Sequence, residues 1–170
     1  VLRNGAKLND DIYITNTVGD AFLGLYIIKK NKKILNHKYF VNSFYLPNIP
    51  YKFGKKMHLF ANAAIDISDG LFQDINHLME NSKLTCDLDL NKIPISIKLA
   101  KYLKVNNKNK KLFISKGDDY QILFTANKNK RNLIKRIAKK TNTLITKIGI
   151  TKKLNFKKNH KNQGYLHKFK

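Results

Sequence analysis

Ala63-Ala64-Ile65-Asp66-Ile67-Ser68-Asp69-Gly70-Leu71 is the stretch around which the chain is organised. It places two carboxylates and a hydroxyl within four residues, between an apolar run and a helix-like repeat. Downstream, Leu71, Phe72, Ile75, Leu78 and Met79 recur at helical spacing, so a helix starting near Ser68 to Gly70 would bury that stripe and turn its N-terminus to the acids. Free amides at a helix start attract phosphate, and Gly70 lets the backbone approach a ligand closely. Carboxylate oxygens are hard donors that suit Mg²⁺, which completes its octahedron with waters and substrate phosphates. The plainer reading makes Ser68 or Asp69 an N-cap, worth about 1 kcal/mol. A cap accounts for one acid and leaves Asp66 without a reason, so the pattern leans toward a Mg-phosphate site.

Working outward, Asp11-Ile12-Tyr13-Ile14-Thr15 alternates as a strand, and a Gly19-Asp20 turn leads into a helix over 21–30 whose basic end suits its negative pole. A short helix over 37–45 is broken by Pro47 and Pro50, which gives a crossing loop. The stretch from Phe53 to Ala63 reads as a return to helix. Beyond the helix at 70–81, Leu84, Cys86, Leu88 and Leu90 alternate with Thr85, Asp87 and Asp89, a strand with one wet face. Ser96 caps a helix to Val105, Asn106 to Lys111 reads as a polar loop, and Gly117-Asp118-Asp119 lies on a loop before a strand over 121–126. By composition alone that Gly-Asp pair is an ordinary tight turn. An amphipathic helix over 129–140 and a strand over 144–150 follow. The alternation points to a layered α/β or α+β domain with helices packed on a mixed sheet.

With 170 residues the chain can bury one core. Its formal charge is +23, from 34 Lys+Arg against 11 Asp+Glu. Such a balance raises nucleic acid or an anionic membrane as a partner. Arg occurs only at positions 3, 131 and 136, however, and base readout and bidentate phosphate recognition favour Arg over Lys. The helix over 129–140 carries Lys130, Arg131, Lys135, Arg136 and Lys139 without interleaved aromatics for base stacking, so a solvated face is the expected meaning of its charge. Neither a specific nucleic acid nor a membrane is expected as a partner. Cys86 stands alone and forms no internal disulfide, which fits a reducing compartment such as the cytoplasm. No apolar run approaches the roughly 20 residues that cross a bilayer. The five histidines show no metal-ligand spacing, and there is no Walker-type glycine loop and no Gly-x-Ser-x-Gly.

The segment Ala64-Ile65-Asp66-Ile67-Ser68-Asp69-Gly70-Leu71 resembles the AxDISDGL segment of thiamine-monophosphate kinases in the AIR-synthase-like (PurM-like) superfamily. Three further stretches agree in the same order. Arg3-Asn4-Gly5-Ala6-Lys7 with Asp10 to Thr15 is similar to that family's RxGAKPGDxIYVTG, Gly117 to Thr125 to its GGEDYELLFT, and Gly164-Tyr165-Leu166-His167 to its closing GYxHF. Lys116 and Gln121 depart from that pattern, which has Gly and Glu there. The resemblance implies a PurM C-terminal-like domain over 16–170, with 1–15 as the junction to a missing N-terminal ATP-binding domain. It further implies ATP- and Mg²⁺-dependent phosphorylation of thiamine monophosphate to thiamine diphosphate, with no covalent nucleophile. In that scheme Asp66 and Asp69 bind the metal, Arg3 and Ser68 contact ATP, and Asp118 and Tyr165 hold the substrate. Without the resemblance Arg3 reads as a surface charge and Tyr165 as a packing residue. In such kinases much of the metal-binding carboxylate set and the homodimer interface belong to the N-terminal domain, so this chain alone is expected to be inactive. Two alternatives stand beside this reading: another enzyme of the superfamily, such as an aminoimidazole ribonucleotide synthase, and a non-enzymatic module that binds nucleic acid through its lysines.

Overall fold

The computed structural model describes residues 1–154, and Tyr165 lies outside them. Five strands, β1 (Asp11–Thr15), β2 (Ala61–Asp66), β3 (Leu84–Leu88), β4 (Ile122–Ala126) and β5 (Ile145–Lys153), form one sheet in the order β2-β4-β1-β5-β3. Around them lie α1 (Asp20–Lys30), α2 (His37–Tyr45), α3 (Tyr51–Gly54), α4 (Leu71–Asn81), α5 (Ile97–Val105), α6 (Lys110–Ile114) and α7 (Arg131–Lys140).

The layered α/β architecture is the expected one, but the sheet is antiparallel at every pairing rather than mixed. The registers explain the difference. Strands β1, β2 and β3 run in one direction, as helical crossovers dictate, but β4 and β5 insert between them in the opposite direction. Residues 1–15, expected as a junction, contain β1, which is the middle strand.

Both faces of the sheet are covered. On one, the periodic residues of α4, Leu71, Ile75, Leu78 and Met79, pack against Ile12, Ile14, Ile65 and Leu123. On the other, Ile134, Ile137 and Ala138 of α7 join Phe53, Phe60, Tyr13 and Phe124. Each fully buried side chain of that size contributes about 1.5–3 kcal/mol relative to exposure. A third cluster, Leu23, Ile27, Phe40, Leu99, Leu103 and Phe113, binds α1, α2, α5 and α6 to one another.

The helix expected from Phe53 to Ala63 is not present. Helix stops at Gly54, a single 3-10 turn covers Met57–Leu59, and Ala61–Asp66 is strand. Alanine's helical preference loses here to sheet pairing: Ala63 and Ile65 turn to the α4 side and Ala61 and Ala64 to the α7 side, where small side chains let both layers close. Likewise α6 begins at Lys110, capped by Asn109, inside the stretch expected as loop. Among the described residues no helix is long and apolar enough to cross a membrane.

Candidate functional site

Strand register gathers the site. Ile14 pairs with Leu123 and Asp66 with Ile122, so the last residues of β1 and β2 and the first of β4 lie at the same end of the sheet. The loop 67–70 follows β2 and the loop 117–121 precedes β4, and the ladder continues between them. Ile67 N–H donates to the Gln121 carbonyl at 2.8 Å, Tyr120 N–H to the Ile67 carbonyl at 2.9 Å, and Asp118 N–H to the Ser68 carbonyl at 3.0 Å. The approach is so close that a methyl group on Gly117 would fall inside the Ser68 carbonyl, and one on Gly70 inside the carbonyl of Ser115. Gly70 also sits at φ 125°, in the region that side chains disfavour. Two segments far apart in sequence are thereby held as one loop pair.

What fixes the first loop is a residue that sequence reasoning passed over. Asp74 is 2% exposed, and one of its carboxylate oxygens accepts from the backbone N–H groups of Ser68 at 3.1 Å, Asp69 at 3.2 Å and Gly70 at 3.1 Å. The loop amides expected to await a phosphate are therefore already occupied by an internal anion. The helix starts at Leu71 after Gly70, and neither Ser68 nor Asp69 caps it with a side chain. Burial raises the Asp74 pKa while the three amides oppose that rise. An acid in the first turn of a helix is a signal the sequence did carry.

Asp119 plays the matching part for the second loop. It is 5% exposed and accepts from Gly19 N–H at 3.0 and 2.8 Å and from Ala21 N–H at 3.5 Å, tying the loop to the start of α1. Burial pushes its carboxyl up to about 8, helped by neighbouring Asp20 and Asp118 against the pull of the two amides. With Asp74 and Asp119 turned inward, Asp66 and Asp69 are left exposed, and half-buried Asp118 takes a left-handed backbone at φ 70°. The Ser68 hydroxyl makes no hydrogen bond within the described residues, and Ser68 is half-buried.

Arg3 comes to the same end. Its guanidinium lies 3.8 Å from the Asp66 carboxylate, both largely exposed. The Ala64 N–H donates to the Leu2 carbonyl at 3.1 Å, which seats the N-terminal residues along the edge of β2. Leu2, Arg3, Met57, Ile65, Asp66 and Ile122 line an open groove of about 520 Å³ there. The structure thus brings together Arg3, Asp66, Ser68, Asp69 and Asp118.

Asp66 and Asp69 offer hard oxygen donors of the kind Mg²⁺ prefers, and among the described residues no group of three or more His, Cys, Asp or Glu side chains assembles a closed metal cage.

The chain is 36% identical over 153 residues to the thiamine-monophosphate kinase of Buchnera aphidicola from Acyrthosiphon pisum, across 88% of this chain and 47% of that protein. It is 32% identical over 133 residues to the thiamine-monophosphate kinase of Aquifex aeolicus, across 76% of this chain and 44% of that one. Among solved structures it is similar to the thiamine-monophosphate kinase from Stenotrophomonas maltophilia K279a, with TM-score 0.82, 27% identity and coverage of 91% of this chain and 51% of the other. A second, AaThiL complexed with AMPPCP and TMP, gives TM-score 0.78 at 29% identity, covering 90% and 48%. Hydrogenase maturation protein HypE in complex with ATP shares the fold alone, with TM-score 0.64 at 11% identity. No family model matches the chain. The chain spans about half the length of the curated relatives it matches.

Proposed function

We propose that this chain, which belongs with the thiamine-monophosphate kinases, is a counterpart of their C-terminal portion and forms part of an enzyme that transfers the γ-phosphoryl group of ATP to thiamine monophosphate, giving thiamine diphosphate. The observation that carries the reading is the interlocked loop pair, which turns Asp66, Ser68, Asp69 and Asp118 to one end of the sheet beside Arg3.

The acceptor in this reaction is already an anionic phosphate, so catalysis requires positioning and charge neutralisation rather than a covalent nucleophile. Asp66 and Asp69 would hold Mg²⁺ through their exposed carboxylates, and the ion would supply neutralisation of the phosphate charge. Arg3, 3.8 Å from Asp66, adds a planar donor to the nucleotide phosphates. The unengaged Ser68 hydroxyl donates to a phosphate oxygen. Asp118 orients the acceptor. The other metal-binding carboxylates and the homodimer contact lie in an N-terminal domain, which places full activity in the two-domain protein, in the cytoplasm.

The test joins this chain to the N-terminal half of the Buchnera relative and measures thiamine diphosphate formed from ATP, Mg²⁺ and thiamine monophosphate. Turnover by the joined protein, at least a hundredfold lower with Asp66→Asn, is the expected result. Equal turnover in the two proteins contradicts the assignment.

A further inference from the structure

The residues before β1 reach the site as a strap laid along β2, the edge strand of the sheet. A methyl group on Gly5 would fall inside the Asn62 carbonyl, Ala64 N–H donates to the Leu2 carbonyl at 3.1 Å, and the Arg3 guanidinium comes to 3.8 Å from Asp66. Residue number thus falls along the strap as it rises along β2. Ala6 packs on the core, but Leu2 is 72% and Leu8 52% exposed, so apolar burial does little to hold the strap. The Arg3–Asp66 pair is itself exposed on both sides, and such pairs contribute little. Arg3 is therefore placed by whatever anchors the strap behind it.

That anchor is a polar clamp. Asp10 is buried, and its two carboxylate oxygens accept from Asn62 Nδ2 at 3.0 and 2.8 Å, one of them also from Lys7 N–H at 2.9 Å. Hydrogen bonds to a carboxylate are short and strong relative to neutral pairs. Thr151 of β5, fully buried, holds the same turn from the other side, its Oγ1 donating to the Lys7 carbonyl at 2.6 Å and accepting from Asp10 N–H at 2.9 Å. Ser82, just past α4, takes the middle of the strap. Its Oγ accepts from Ala6 N–H at 3.3 Å and donates to the Arg3 carbonyl at 3.4 Å. Asn62 lies where β2 departs from regular pairing, because the register with β4 shifts between Ala61 and Ala63. A bulge of that kind re-aims the extra side chain, and here it delivers Asn62 to Asp10.

We propose that Asn62 is a positioning residue: through Asp10 it fixes the strap so that the Arg3 guanidinium stands beside Asp66, aimed at the nucleotide phosphates. The proposal rests on the kinase reading and deepens it. Asn62 and Asp66 are four strand positions apart, about 13 Å, which keeps the clamp clear of the phosphates. Loosening it disturbs the nucleotide through Arg3 and leaves the acceptor's contacts on the loop 117–121 in place.

Two measurements test it. In the joined enzyme, Asn62→Asp sets two carboxylates face to face and is expected to raise KM for ATP at least tenfold, with KM for thiamine monophosphate within twofold of wild type. Adding Asp10→Asn restores an amide facing a carboxylate, keeps an oxygen for Lys7 N–H, and should return KM for ATP to within threefold of wild type. The second measurement needs no turnover. The 170-residue chain has three arginines, and in its ¹⁵N spectrum Asp66→Asn should shift the Arg3 Nε signal. That response should vanish in the presence of Asn62→Asp and return when Asp10→Asn is added. An unchanged KM for ATP in Asn62→Asp, a parallel rise in both KM values, or a rise that Asp10→Asn fails to reverse overturns the proposal. So does an Arg3 signal that responds to Asp66→Asn equally with and without Asn62→Asp. A joined enzyme without turnover, whose Arg3 signal still follows the expected pattern, overturns the kinase reading and leaves the placing of Arg3 by the clamp standing.

Discussion

Two buried aspartates at opposite ends of β1 meet opposite electrostatic fates. Asp11, at the start of the strand, is fully buried and accepts from Arg131 Nε at 2.6 Å and Nη2 at 2.9 Å, with Lys147 Nζ at 2.6 Å. Burial alone would raise its carboxyl, but the two cations hold it down at about 2. Asp119, beyond the other end, has only backbone amides for compensation and is pushed up to about 8. One end of the sheet is electrostatically closed; the other collects Asp66, Asp69, Asp118, Asp119 and Asp20. Three arginines and many lysines were available to this chain, yet the sheet end holding the loop pair keeps its acids largely without cation partners. A ligand that brings positive charge with it would relieve the repulsion among these acids.

The largest effect is expected from prising apart the loops of the open end. Gly117→Ala places a methyl group inside the Ser68 carbonyl, where backbone rather than a flexible side chain must yield. Chemical denaturation should show a loss of about 3 kcal/mol or more, with turnover in the joined enzyme abolished. At the closed end, Asp11→Ala strands Arg131 and Lys147, which are 44% and 41% exposed and so partly rehydrate. The expected loss is about 2–3 kcal/mol, below that of a pair buried on both sides.

Acidity sharpens the contrast, because the two ends respond to pH with opposite signs. The folded-state pKa of Asp11 is lowered from 3.8 to about 2, so its contribution is present above pH 4 and lost on acidification toward 2, on the order of 2 kcal/mol. That of Asp119 is raised from 3.8 to about 8, so the folded state binds the extra proton and stability declines as pH climbs between those values. Urea midpoints measured from pH 3 to 9 should rise and then fall, and Asp119→Asn should flatten the falling limb while leaving the rising one. A smaller effect is expected at the half-buried acid of the loop: Asp118→Asn in the joined enzyme should raise KM for thiamine monophosphate about tenfold with little change in KM for ATP. Least of all should respond the basic face of α7, where Lys135→Ala changes stability by less than about 0.5 kcal/mol. Duplex DNA bound with an affinity that Asp66→Asn leaves unchanged and Lys135→Ala reduces would instead give the charge a function of its own.

Much of this was legible before any coordinates. The helices over 20–30, 71–81 and 131–140 follow from their apolar spacing, Asp66 and Asp69 stand out by the residue types around them, and Asp118 stands out only through the resemblance of its segment to the kinase pattern. Two kinds of information were missing. Ala61–Asp66 carries alanines whose local preference is helical, and only pairing with β4, 56 to 65 residues away in sequence, makes it a strand. The inward acids could not be told from the outward ones by composition: Asp74 and Asp119 look as reactive in sequence as Asp69 and Asp118, and the distinction lies in which carboxylate the backbone amides reach. Gln121, whose four hydrogen bonds join residues up to 106 positions apart, reads in sequence as a polar residue at a strand's start.

Binding of a divalent cation by the outward acids of the open end is the property most directly measured. Amide NMR spectra of the ¹⁵N-labelled chain, recorded with ADP while Mn²⁺ replaces Mg²⁺ in small increments, locate a bound ion by the signals it broadens. Selective broadening of residues 66–70 and 117–120, abolished by Asp66→Asn, is the predicted result. Broadening centred on the surface acids Asp87 and Asp89 with 66–70 sharp, or uniform broadening that Asp66→Asn leaves unchanged, would contradict it.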